Sequence, residues 1–314
     1  MIVSASRRTD IPNYYSEWFF NRIKEGYLYV RNPMNAHQIS EISLAPEVVD
    51  CIVFWTKNPE PMLDGLDLLN GYQYYFQFTL TGFGSDIEPH IPDKKVRMLP
   101  VFRELSRMIG KGRVIWRYDP ILFTETYTPA YHVRAFEQIA GALDGYTKQC
   151  VISFADLYAK NKKSMEALHP FFPAEDALTA FAGMLADIAG AHGIAVKTCA
   201  ETIDLSSCGI GHSCCIDQAL IEQLVGYRIR AGKDKNQRKM CGCIESVEVG
   251  TYHTCKNGCL YCYANDSRAR VLRNCGLYDA ASPLLCGRVA ENDRISVRRV
   301  KSLRARMDAR NMRA

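Results

Sequence analysis

The sequence predicts an α/β fold, a TIM-like (β/α) barrel with a cysteine-rich segment near its C-terminus. The first observation is a regular alternation of short β-like runs with amphipathic helical stretches, the pattern of parallel strands joined by helices. The runs cover residues 2–6, 27–31, 51–56, 74–80, 113–118, 150–154 and 194–199. Helical patterns fall between them at 15–25, 96–109, 131–143 and 176–192, and Gly193 stands where the last of these should stop. An eighth run, 244–252, alternates less clearly and leads straight into a cysteine motif. The second observation is size: 314 residues with 47% hydrophobic content can bury one large core, and eight strand–helix units fit a barrel of that length. An open sheet is the alternative arrangement.

The third observation is the polar character of the residues just past each strand. After 2–6 come Arg7 and Asp10, and after 27–31 comes Asn32; residues 51–56 end beside Trp55 and Lys57. The fifth run gives Arg117, Tyr118 and Asp119, the sixth Asp156, the seventh Glu201. In a parallel barrel these positions gather at the C-terminal face, where active sites form. Arg7, Lys57 and Arg117 are candidates to bind carboxylate or phosphate groups, the arginines by a bidentate fork. Asp10, Asp119, Asp156 and Glu201 are candidates to hold hydroxyl or amine groups or to act as acid–base catalysts. A network of ion pairs that merely closes the barrel mouth would use the same residues. Trp55 and Tyr118 suit either packing or ring stacking.

The motif after the eighth run is Cys255-Lys-Asn-Gly-Cys259-Leu-Tyr-Cys262. Three thiols at this spacing can fold round one small metal–sulfur centre. A cubane 4Fe–4S cluster normally takes four thiolates, so a triad leaves one iron for an exchangeable ligand. A structural zinc site or a buried thiol cluster is the plainer reading. Cys241-Gly-Cys243 precedes the triad closely, and with Cys199 and Cys215 it could complete a second, fully ligated iron–sulfur or zinc centre. Cys214 is an alternative to Cys215, and Cys208 has no distinguishing feature. Cys51 and Cys150 open apolar runs and read as core residues, whereas Cys275 and Cys286 are undecided. His212 and His253 flank cysteine-bearing segments and read as hydrogen-bonding neighbours.

Composition narrows the classes further. Charged residues make up 23%, which argues against general disorder, and the first residues lack the basic-then-apolar pattern of a secretory signal. No run approaches the 18 apolar residues of a membrane helix, so a cytoplasmic protein with no membrane partner is expected. In that reducing setting the 13 cysteines read as metal ligands and buried thiols rather than disulfides. The net charge of +5 is accounted for by residues 286–314, where nine basic side chains face three acidic ones. This tail reads as a solvated helix or frayed end, with phosphate contact to nucleic acid only weakly supported. The expected division is a barrel over 1–240, a cluster segment over 241–275 that supplies the last strand, and a basic extension over 276–314.

The triad, with Tyr261 just before its last cysteine, resembles the Cys-x3-Cys-x-aromatic-Cys signature of radical S-adenosylmethionine enzymes. The resemblance implies that Cys255, Cys259 and Cys262 hold three irons of a 4Fe–4S cluster. It also implies that S-adenosylmethionine chelates the fourth iron and is cleaved reductively to a 5′-deoxyadenosyl radical. Tyr261, Trp55 and Tyr118 would then face the cofactor. The signature usually lies just after the first barrel strand, so its place here implies a permutation in which 244–252 acts as the first strand and 2–6 as the second. Residues 264–274 would then be the helix after the cluster loop. No Gly-Gly-Glu motif of the kind that contacts the methionyl amine is present.

Along the whole chain the sequence is similar to domain-of-unknown-function family 1848. The matching stretches include Ser4-Ala-Ser-Arg-Arg-Thr-Asp10, Val53-Phe-Trp-Thr-Lys-Asn58, Arg117-Tyr-Asp-Pro120 and Lys197-Thr-Cys-Ala-Glu201, and end at Tyr263-Ala-Asn265. The expected function is a radical S-adenosylmethionine-type enzyme that takes electrons from a flavodoxin or ferredoxin and acts on an unknown substrate. The alternatives are an iron–sulfur protein for electron transfer or sensing, and a zinc-stabilised barrel hydrolase or nucleic-acid binder.

Overall fold

The computed structural model describes residues 1–157 and 160–305. Of the basic tail, Arg306, Asp308, Arg310 and Arg313 lie outside the described residues. The strands are β1 (Ile2–Ala5), β2 (Tyr27–Arg31), β3 (Gln38–Ser43), β4 (Cys51–Thr56), β5 (Tyr74–Thr79), β6 (Val114–Ile121), β7 (Gln149–Phe154), β8 (Ala195–Cys199), β9 (Gly211–Ser213), β10 (Val247–Glu248) and β11 (Arg294–Val297). Eight of them form one parallel sheet in the order β10-β1-β4-β5-β6-β7-β8-β9.

From β1 to β9 the order never reverses, so right-handed crossovers must all fall on one side of the sheet. The helices obey this. Trp18 and Phe19 of helix Ser16–Glu25, Phe102 of Leu99–Ile109, Phe136 of Pro129–Ala142 and Phe181 of Glu175–Ala191 join one core with Phe54, Phe76, Phe78 and Trp116 of the sheet. Phe54 stacks on Phe76 with ring centroids 4.7 Å apart, and Trp116 stacks on Phe136 at the same distance. The period of two then sends Ile2, Cys51, Val53, Tyr75, Ile115 and Val151 to the other face. That face is covered by Cys199, Cys215, Ile216, Ile221, Ile229, Cys241, Cys243 and Ile244. Helices on one side thus leave the second side to the cysteine-bearing segments.

Three expectations need correction. The closed (β/α) barrel is not formed: β10 and β9 are the edges of the sheet, and no ladder joins them among the described residues. These edges are two and three residues long, too short to present a row of donors and acceptors for closure. The strand at 27–31 is real but belongs elsewhere, pairing antiparallel with β3 in a separate sheet of order β11-β3-β2. The basic extension is neither helix nor frayed over 294–297: β11 pairs parallel with β3, and Arg31 binds Asp293 at 2.7 Å just before it.

The run at 244–252 contracts to β10, which pairs parallel with β1 through Val3↔Val247 and Ser4↔Glu248. The helix expected at 264–274 is Arg268–Cys275. No helix among the described residues is long and apolar enough to cross a membrane.

Candidate metal and cofactor site

The loops leaving the C-terminal ends of β1, β4, β6, β7, β8 and β10 surround one cavity of about 620 Å³, within the usual range of ligand pockets. Glu248, at the end of β10, fixes the entrance of the triad loop. It accepts hydrogen bonds from Ser4 Oγ at 2.8 Å, Arg7 N at 3.1 Å and Gly250 N at 2.9 Å. Gly250 then passes so close to the end of β1 that a Cβ there would lie 1.9 Å from Ser6 Oγ and 2.5 Å from Ser6 Cβ. Gly250→Ala should therefore push the triad loop away from β1 and cost about 1–3 kcal/mol, read as a lowered urea midpoint. An unchanged midpoint would show that this approach is not fixed.

The triad loop is tied to its neighbours by polar side chains. Asn257 donates to Asp10 Oδ2 at 3.0 Å and accepts from Asn13 Nδ2 at 3.1 Å and Tyr14 Oη at 2.8 Å. Asp10 also accepts from Lys57 N at 2.8 Å and Asn13 N at 3.1 Å, so this buried carboxylate joins the loops after β1, β4 and β10. On the far side Asn161 Nδ2 donates to the Tyr261 carbonyl at 2.9 Å, and Ser164 Oγ to that of Leu260 at 2.7 Å.

Cys255, Cys259 and Cys262 all line the cavity. As free thiols they resist ionisation. Burial pushes each up, Cys259 to about 12, while the Lys57 ammonium pulls Cys259 and Cys262 down. The Ala264 amide points at Cys262 Sγ from 3.3 Å.

Lys57 owes its position to Glu88, which sequence reasoning missed. Glu88 Oε1 lies 2.7 Å from Lys57 Nζ and Oε2 lies 2.5 Å from Lys94 Nζ. Thr81 Oγ1 and Tyr261 Oη also donate to it. Burial alone would raise Glu88, but the two ammoniums outweigh it and hold the carboxyl at about 2. The Lys57 ammonium in turn sits 5.4 Å from the centre of the Tyr261 ring, which lines the cavity.

Arg7 stacks over Trp55 at 5.0 Å, and its Nη1 lies 3.6 Å from Asp234. Arg7 Nη2 is buried without a hydrogen-bond partner. Arg117 is buried, forks onto Asp119, and places Nη1 3.0 Å from Cys215 Sγ. Asp119 also accepts from Ser153 Oγ, and Asp156 pairs with Arg238. Glu201 stands just behind the wall, where Oε1 accepts from Phe154 N at 3.0 Å. Burial, reinforced by Asp156, raises its carboxyl to about 7. A group raised in the folded state contributes stability below its ordinary value and loses it as pH climbs through the folded one. Stability should thus fall between pH 4.5 and 7, and Glu201→Gln should flatten that fall in denaturation midpoints taken at pH 5 and 8. A slope unaltered by the substitution would contradict this.

Tyr118 does not line the cavity. It comes directly after Arg117 on the strand, so alternation turns it into the helix-side core, where its hydroxyl lies 2.8 Å from His132 Nδ1. A role for it as a stacking platform is therefore dropped, whereas Trp55 and Tyr261 do face the chamber.

The four cysteines of the second expected group all reach the cavity wall. Cys199, Cys215, Cys241 and Cys243 are all buried and all line the cavity. Cys199 Sγ lies 3.2 Å from Cys215 Sγ, and Cys243 Sγ accepts from the Ile216 amide at 3.3 Å. Cys214 does not line the cavity, and Cys208 bonds the Thr179 carbonyl instead. Cys51 and Cys150 are core residues, while Cys275 contacts Tyr15 Oη at 3.3 Å and Cys286 contacts it at 4.0 Å. His212 bonds Thr198 and His253 lies beside Asp266.

Among the described residues, no three His, Cys, Asp or Glu side chains form a group that could hold a single metal ion. A cubane asks for something different, because its irons stand apart and each takes one thiolate. For such a centre the triad offers three thiols on one cavity-lining loop, an amide aimed at one sulfur, and the half-buried Lys57 ammonium beside two of them.

A family model described as Domain of unknown function (DUF1848) matches residues 2–264. No curated protein and no solved structure shows a significant match. The chain belongs to the DUF1848 family.

Proposed function

We propose that this member of the family is a radical S-adenosylmethionine-type enzyme, with a 4Fe–4S cluster on Cys255, Cys259 and Cys262. The observation that carries the reading is that the triad shares one cavity of about 620 Å³ with Arg7, Lys57, Arg117 and Trp55. An iron–sulfur protein for electron transfer or sensing needs no chamber of that size. Strand order supports the reading too: with β10 placed first, the open parallel sheet runs β10-β1-β4 to β9 in chain order. The triad then comes after the first strand, as the signature requires.

When bound, the cluster and S-adenosylmethionine would supply a reductively generated 5′-deoxyadenosyl radical. The chain's own residues have separate tasks. Lys57, kept charged by Glu88, offsets thiolate charge beside Cys259. Asp10 and Asn257 hold the triad loop against the ends of β1 and β4. Arg7 and Trp55 offer a cationic and an apolar surface to a cofactor that has both characters. Asp156 and Arg238 set an exposed ion pair at the rim of the same cavity. Electrons would come from a flavodoxin or ferredoxin, and 13 unpaired thiols suit the reducing cytoplasm.

The test is anaerobic incubation with dithionite and S-adenosylmethionine. Formation of 5′-deoxyadenosine is expected. A colourless, zinc-loaded protein that forms none would overturn the reading.

A further inference from the structure

We propose that Cys199, Cys215, Cys241 and Cys243 hold a second iron–sulfur cluster, a 4Fe–4S centre with every iron taken by the polypeptide. Four thiols are the full complement of a cubane, one more than the triad offers. They come from three separate places: the end of β8, the loop before helix Gln218–Val225, and the Cys-x-Cys before β10. Sequence separation of this kind does not bring four buried thiols together by local chain geometry. The fold does so on the side of the sheet that carries no crossover helix.

The surroundings suit an anionic centre. Arg117 Nη1 is 3.0 Å from Cys215 Sγ, and the Ile216 amide donates to Cys243 Sγ at 3.3 Å. Arg7 adds a second guanidinium whose buried Nη2 has no partner. A four-thiolate cubane carries net negative charge, which these donors would offset. Parting Cys199 from Cys215, now at 3.2 Å, needs rotation about Cα–Cβ, and both side chains border the cavity that would receive the cluster. With no vacant iron such a centre can only exchange electrons. It would accept one from the external donor and pass it to the triad cluster, a role that rests on the radical S-adenosylmethionine reading of the triad.

The test is iron and acid-labile sulfide analysis of anaerobically purified protein with three chains compared. Wild type should hold about eight irons, and the Cys255/Cys259/Cys262→Ala chain and a Cys241→Ser/Cys243→Ser chain about four each. Circular dichroism establishes that each variant folds, and Cys215→Ser replaces the double variant if that one does not. Wild-type iron in the Cys241→Ser/Cys243→Ser chain, or one zinc lost from it, would overturn the second cluster. So would a Cys199–Cys215 disulfide found by mass spectrometry in the anaerobic protein. Failure of the triad reading gives a different pattern: its triple variant would keep the wild-type iron content.

Discussion

Cys259→Ala should lose about four irons and bring 5′-deoxyadenosine formation below detection, while the fold survives. Two thiolates cannot anchor a cubane against loss, and Cys259 is the thiol that borders both Lys57 and Glu88. The substitution removes only a small side chain from the cavity wall, so a circular dichroism spectrum like that of the parent is expected alongside the loss. Lys57→Met should act differently. The cluster would still assemble, but without the ammonium its reduction would become harder and turnover slower. Parent rates in the Cys259→Ala chain would remove the triad from the chemistry altogether.

Glu88→Gln is expected to destabilise the protein by about 3–5 kcal/mol, the usual cost of stripping one partner from a buried ion pair. Two half-buried ammoniums, Lys57 and Lys94, would be left facing a neutral amide at the buried Glu88 position. The wild-type carboxyl is held at about 2 against an ordinary 4.5. The corresponding stabilisation is on the order of 3 kcal/mol, fully present above the ordinary value and lost as pH falls from there toward the folded one. Urea midpoints of the two proteins should therefore lie far apart at pH 7 and converge toward pH 3. A gap that stays constant with pH would mean that Glu88 acts through packing rather than charge.

Much of the fold is readable from the sequence, and the failures have physical causes. Runs at 51–56, 74–80, 113–118, 150–154 and 194–199 are strands of the main sheet because continuous apolar stretches with β-branched and aromatic residues suit a sheet buried on both faces. The run at 27–31 is equally strand-like, but periodicity reports a pleat and not a partner, so its departure to a second sheet is invisible. β9 and β10 are three and two residues long, too short for any periodic signal, and closure is overestimated for that reason. Tyr118 is misplaced although a signal exists: with Arg117 turned to the cavity, the next residue on a strand must turn away.

At the site, cysteine spacing finds both thiol groups that line the cavity, because thiols crowded into short motifs leave a compositional trace. Glu88, Lys94, Asn257 and Glu248 escape it. Glu88, Lys94 and Glu248 sit in no motif, Asn257 is a non-cysteine position inside one, and all become neighbours only when loops after different strands fold together, as the Lys57–Glu88–Lys94 contacts show. Asp86 and Glu88 in one polar loop are the sole hint, and nothing in the sequence separates the buried carboxylate from its neighbour.

The most direct measurement is electron paramagnetic resonance of the dithionite-reduced, oxygen-free protein before and after addition of S-adenosylmethionine. A vacant iron at the triad predicts a reduced-cluster signal whose g-values shift on addition, with the shifting component absent from Cys259→Ala. A spectrum identical with and without S-adenosylmethionine would mean that every iron is already held by protein, and the account would be contradicted.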